Sequence, residues 1–162
     1  MDERAFSGIA ERYAGRLYAV AYRLLRNRAD AEDAVQRALL NCFAARATYS
    51  PRWAVSTWIY RVLTNVCMDE LRRRQRRSDP LLLADADVRP VATLPAASAE
   101  RIDVARALAR VPPEARVLLG LRYVDGLSHR ELARIRGISV NTVKSQLARG
   151  KKILKLALEK EK

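Results

Sequence analysis

The sequence predicts an all-α protein built as two small helical domains joined by a linker. Three observations predict it. Apolar residues recur at spacings of three and four along most of the chain, the period of a helix with one buried face. Residues 125–154 (DGLSHRELARIRGISVNTVKSQLARGKKIL) carry paired helix caps around a glycine, the form of a helix–turn–helix. Residues 79–98 lose the helical period and gather prolines and aspartates, the composition of a linker.

Charge follows the same division. Residues 1–78 sum to +7, residues 79–98 to −2 and residues 99–162 to +8, within a formal net charge of +13 for the 162-residue chain. Two basic modules on a slightly acidic tether fit a polyanionic partner, nucleic acid before a membrane surface. No run of about 18 apolar residues offers a transmembrane span. The N-terminus MDERAFSG lacks the apolar core of a secretory signal. Cys42 and Cys67 lie far apart without a C-x-x-C context, so they read as small core residues of a reducing cytoplasm. One histidine, His129, cannot assemble a metal site or a catalytic triad, and no catalytic residue, metal or cofactor is expected.

The first helix is expected from about Asp2 to Arg26, with Phe6, Ile9, Tyr13, Leu17, Val20 and Leu24 on its buried side. Asn27-Arg28 interrupts it. Asp30 is expected to cap a second helix, with Glu32 and Asp33 where the helix dipole favours negative charge. Val35, Ala38, Cys42 and Phe43 give that helix its stripe. Residues 47–55 (ATYSPRWAV) read as a loop, since Pro51 biases Ser50 away from helix. Tyr49, Arg52 and Trp53 suit stacking on unpaired bases; the alternative is a loop whose aromatics fold back on the helices.

A third helix from Ser56 to about Arg76 has two faces. Ile59, Leu63, Cys67 and Leu71 form the buried one; Trp58, Arg61, Asn65, Asp69 and Arg72 form the other. It runs into RRRQRR (Arg72 to Arg77), a candidate phosphate-binding patch that includes Arg73. Beyond the linker, Ile102, Ala105 and Leu108 indicate a short helix. Pro112-Pro113 ends it and starts another, whose core side is Val117, Leu118 and Leu121.

Asp125-Gly126 then turns the chain into the helix–turn–helix. Ser128 and Glu131 have capping-box spacing, Leu132, Ala133 and Ile135 face inward, and Gly137 ends the helix. Ser139 can cap the last helix. Val140, Val143, Leu147 and Leu154 fall on one side of it, and Asn141, Lys144, Ser145, Arg149 and Lys152 on the other. Such a face fits the major groove of DNA; an ordinary helical hairpin with a solvated basic face would look similar.

Together the motifs resemble a bacterial RNA polymerase sigma factor of the sigma-70 family, extracytoplasmic-function (ECF, group 4) type. The resemblance covers nearly the whole chain apart from the tether. DAEDAVQ (Asp30 to Gln36) is similar to the family's polymerase-core-binding signature, STWIYRVLTNVCMDELRRRQRR (Ser56 to Arg77) to its region 2 segment, and residues 111–154 to its region 4. The resemblance implies region 2 over residues 1–78 and region 4 over 99–162, and a transcription initiation factor rather than an enzyme. It implies polymerase-core contacts, to the β′ coiled coil and the β flap, with Asp30, Glu32, Asp33 and Gln36 on the β′ coiled coil. It implies recognition and melting of the −10 element by Tyr49, Arg52, Trp53, Trp58, Arg61, Asn65, Arg72 and Arg73. It assigns the −35 element to Asn141, Thr142, Lys144, Ser145 and Arg149, with Lys151 and Lys152 placed for phosphate. An anti-sigma partner, a cytoplasmic, nucleoid-associated location and no membrane insertion go with it. The alternative is a stand-alone dimeric helix–turn–helix regulator, which leaves DAEDAVQ and residues 58–77 unexplained. The chain departs from the family pattern at Gln146 (often arginine), at Gly150 (often alanine) and in the loop before Trp58. A glycine inside a helix costs about 1 kcal/mol relative to alanine.

Overall fold

The computed structural model describes residues 1–77 and 99–160, without the side chains of residues 101 and 102. The tether expected at 79–98 and the side chain of Ile102 thus lie outside the described residues. Every regular element among those described is helical.

Three long helices form the first module. Helix α1 spans Glu3–Leu25, capped by Asp2, whose carboxylate accepts the Ala5 N–H at 2.7 Å. It ends at Arg26, which takes the left-handed conformation (φ 55°) usually left to glycine. Helix α2 spans Arg28–Ala44. Its cap is Asn27, not Asp30. The Asn27 side chain accepts the Asp30 N–H at 2.9 Å, because Asn27 is extended and the chain re-enters the helical conformation directly after it, at Arg28. Asp30 is left in the first turn, where its charge still suits the helix dipole.

A short 3-10 turn at Arg46–Thr48 leads to α3, Val55–Arg77. The three helices close on Leu17, Val20, Leu25, Ile59 and Leu63. Ala31, Ala34 and Ala38 let the backbone of α2 come close, and Cys42 and Cys67 fill the remaining volume, fully buried. That burial pushes the two thiols up to about 11 and about 12 from an ordinary 9.0.

Four helices form the second module: α4 (Ala99–Ala109), α5 (Pro113–Tyr123), α6 (His129–Arg136) and α7 (Val140–Lys160). Pro113 opens α5, where a missing N–H is tolerated. Val111, Val117, Leu118, Leu121, Leu132, Ile135, Val143 and Leu147 are its core. Gly150 sits where α7 crosses α5. A Cβ there would stand 3.1 Å from both Ala115 Cβ and Leu119 Cδ1, so the glycine that looks unfavourable within a helix sets the distance between two.

The modules pack against each other. α1 and α3 of the first meet α5 and α6 of the second, and the buried apolar cluster runs through both without a break.

Candidate nucleic-acid interface

The helix–turn–helix is assembled by its caps. Ser128 Oγ accepts the Glu131 N–H at 3.1 Å, and the Glu131 carboxylate accepts the Ser128 N–H at 3.2 Å, a complete capping box. Gly137 ends α6 at φ 65°. Its conformation lets Ile138 donate back to Ala133 O at 3.0 Å, which turns the chain within three residues. Ser139 Oγ then accepts the Thr142 N–H at 3.1 Å, and the two hydroxyls share a hydrogen bond of 2.8 Å. The polar group of Thr142 is thus committed to the turn.

From this fixed start α7 projects with its sides separated. Val143, Leu147, Gly150 and Ala157 are buried. Asn141, Lys144, Ser145, Arg149 and Lys152 are exposed together on the far side, and Gln146 lies at the edge, half-buried. No carboxylate occurs in sequence between Glu131 and Glu159, so this face is uniformly donor-rich and positive. Lys151 is exposed but leans off it: its ammonium lies 4.7 Å from the Tyr123 ring centre, a cation–π contact with α5.

On the first module, Tyr49, Trp53, Trp58 and Arg61 form one cluster at the start of α3. The Tyr49 and Trp58 rings are 5.0 Å apart, Tyr49 donates its hydroxyl proton to Trp53 O at 2.6 Å, and the Arg61 guanidinium lies 5.5 Å from the Trp53 ring centre. The aromatics are therefore folded back on the helix, the second of the two loop conformations open from sequence. Trp58, expected on an open face, is half-buried against the core. Arg52 and Asn65 are exposed.

The arginine run divides. Arg72 and Arg73 are exposed and pair with Asp69 and Glu70 one turn back. Arg74 turns inward instead, donating to Leu25 O at 2.7 Å and pairing with Asp30 and Glu70. It ties the end of α3 to the start of α2. Of the acidic set on α2, Glu32, Asp33 and Gln36 are exposed; Glu32 and Asp33 make only local pairs with Arg28 and Arg37. Asp30 is held by Arg74.

Sequence reading missed the contacts between modules. Arg23 of α1 pairs with Asp125, after α5, at 2.5 Å. Arg61 donates to Arg134 O, in the last turn of α6, at 3.0 Å, and its guanidinium lies against Gly137. Partners 102 and 73 residues apart leave no local signal. Arg136 is crowded at the same seam: burial, then the neighbouring Arg72, lowers its pKa, with Glu114 opposing. Among the described residues no group of three His, Cys, Asp or Glu side chains could hold a metal ion, and no helix is long and apolar enough to cross a membrane.

Two family models match this chain, Sigma-70 region 2 over residues 9–77 and Sigma-70 region 4 over residues 101–154. The chain is 35% identical over 150 residues to the ECF RNA polymerase sigma factor SigM of Mycobacterium tuberculosis, covering 93% of this chain and 75% of that protein. It is 28% identical over 173 residues to the ECF RNA polymerase sigma factor SigW of Bacillus subtilis, covering 97% and 90%. Its fold is similar to the sigma factor RpoE solved with the anti-sigma factor NepR from Bartonella quintana (TM-score 0.75, 25% identity, 96% and 98% covered). A stand-alone regulator has no use for the region 2 match, which takes in nearly all of the first module.

Proposed function

We propose how this chain, which belongs to the ECF group of the sigma-70 family of RNA polymerase sigma factors, divides promoter recognition between its two modules. The second module reads the −35 element: Asn141, Lys144, Ser145 and Arg149 meet base edges in the major groove, Thr142 fixes the start of the helix, and Lys151 and Lys152 meet phosphate. The observation that carries this reading is the exposed, carboxylate-free face of α7 behind a double-capped turn.

The first module holds the opened −10 element. Unstacking a base step costs a few kcal/mol, which contacts to the exposed strand must supply. Tyr49, Trp53 and Trp58 offer aromatic surface, Arg52, Arg61 and Asn65 hydrogen bonds, and Arg72 and Arg73 phosphate contacts. Glu32, Asp33 and Gln36, with Asp30 behind them, face the β′ coiled coil, and the second module rests on the β flap. The chain is not itself an enzyme on this reading; catalysis belongs to the polymerase, in the bacterial cytoplasm at the nucleoid. An anti-sigma factor, like the one bound to the RpoE relative, is the expected inhibitor.

Run-off transcription with sigma-free core polymerase on a library of promoter fragments tests the reading. Transcripts with defined starts, dependent on this protein, are expected. No transcript and no co-elution with core, with tight binding to duplex DNA alone, would overturn it.

A further inference from the structure

We infer that the cavity between α1, α5 and α7 is a binding site for a small apolar carboxylate, of the size of a medium-chain fatty acid. Among its lining residues only Lys151 also belongs to the promoter contacts proposed above.

The cavity holds about 300 Å³, within the range that small ligands occupy. Its walls are largely apolar: Val20 and Leu24 from α1, Val117 and Leu119 from α5, and Leu154 from α7. Gly120 leaves α5 without a side chain at this point. Its neighbour there is the Arg23 guanidinium, with Nε 3.4 Å from where a Cβ would stand, so a large side chain would take up the space that Gly120 leaves. The volume matches about ten water molecules at roughly 30 Å³ each, or one organic molecule of about ten non-hydrogen atoms.

Charge selects the class of that molecule. Arg23, Arg26, Arg116 and Lys151 line the cavity, and no carboxylate does. Two of the four are held in place by the protein: Arg23 pairs with Asp125 at 2.5 Å, and Arg116 donates to Val111 O at 3.0 Å. Arg26 and Lys151 have no carboxylate partner among the described residues. Arg26 is half-buried at the left-handed turn that ends α1, and the Lys151 ammonium lies 4.7 Å from the centre of the Tyr123 ring, itself part of the wall. The grooves elsewhere differ: the one between α1 and α2 includes Glu3 and Glu11, and the one beside Met68 includes Glu114.

A monoanion with an apolar body satisfies both halves of this site. Its tail covers the leucine and valine walls, and its carboxylate meets Arg26 and Lys151 in partly shielded surroundings, where charge-assisted hydrogen bonds are about twice as strong as neutral ones. A nucleotide or sugar phosphate fits worse, because its hydroxyls would be buried against apolar walls without partners. A neutral apolar molecule would fill the space and leave the two cations uncompensated.

Isothermal titration calorimetry of the full chain with sodium octanoate tests the site. One saturable site is expected, with a dissociation constant on the order of 0.1 mM. Affinity should rise about fourfold per methylene from butanoate to octanoate, then level off beyond about ten carbons, where the tail outgrows the cavity. Octanol should bind at least about tenfold more weakly than octanoate. Arg26→Asn, which keeps a residue tolerant of the left-handed conformation, and Lys151→Gln, at an exposed position, should each weaken octanoate about fivefold and leave octanol unchanged. Leu154→Trp should move the preferred length to shorter chains. Circular dichroism checks that each variant keeps its fold, and Lys151→Gln carries the charge test should Arg26→Asn disturb the turn. No saturable binding, equal affinity for octanol, an affinity that climbs with chain length without levelling off, or octanoate binding unmoved by the folded charge variants would each overturn the proposal.

Discussion

Replacing Gly150 by alanine sets two effects of similar size against each other, and the structure decides the sign. Within an exposed helix the change would stabilise by about 1 kcal/mol, through backbone entropy alone. Gly150 is buried in the crossing of α7 over α5, however. The new Cβ would lie 3.1 Å from Ala115 Cβ and 3.1 Å from Leu119 Cδ1. Carbon pairs are comfortable at about 3.5–4.0 Å, so roughly half an ångström must be found. Leu119 can turn a torsion, although it is only 5% exposed and packed; Ala115 has no torsion to turn. The helices must part, and overpacking of this kind costs about 1–3 kcal/mol. The expected balance is a loss of about 1 kcal/mol. Urea denaturation followed by circular dichroism measures it. Trp53 and Trp58 both lie in the first module, so their fluorescence separates that module from the second. A gain of about 0.5–1 kcal/mol, as helix propensity alone would give, would refute the reasoning.

Other perturbations test the proposed interfaces and the core. Arg149→Ala is expected to weaken promoter binding by about 1–3 kcal/mol with a change in preferred sequence; an equal loss on every sequence, measured by fluorescence anisotropy, would reduce Arg149 to a phosphate contact. Asp33→Lys is expected to abolish co-elution with core polymerase while the circular dichroism spectrum and urea midpoint hold, because Asp33 is 63% exposed and its only ion pair, with Arg37 at 3.7 Å, is local. The buried thiols give a pH dependence. Their folded values lie above the ordinary 9.0, so the unfolded chain ionises first. Their contribution to stability is full below about pH 9 and is lost as pH rises through about 11 for Cys42 and about 12 for Cys67. A Cys42→Ala, Cys67→Ala chain should lack this part of the alkaline fall in urea midpoint; an identical fall in both chains would contradict it.

What could be read from sequence was whatever is encoded within a few residues. Ser128, Glu131 and Gly137 specify caps and a turn by spacing alone, and the structure places each in that role. The stripes of α2 and α3 follow from helical period, and they put Cys42 and Cys67 in the core, where the structure has them. The cap of α2 was misplaced by three residues. Asparagine and aspartate cap about equally well, and the left-handed turn at Arg26 that selects Asn27 has no sequence signature. The arginine run shows the same limit. Five arginines look alike in sequence, but Arg74 is the one that faces Leu25 and Asp30, a fact of helix packing rather than composition. The seam between modules was invisible, because Arg23, Arg61 and Asp125 find partners more than 70 residues away.

The central claim is that one module reads the −35 duplex while the other holds the opened −10 strand. Site-specific photocrosslinking in the polymerase–promoter complex tests it most directly, with a crosslinker at Ser145 in one chain and at Asn65 in another. Both positions are exposed and keep their surroundings intact. The account predicts that Ser145 labels duplex near −35 and Asn65 labels an unpaired base near −10, both only when core polymerase is present. Labelling of a single two-fold-symmetric duplex site by both positions, without polymerase, would contradict it.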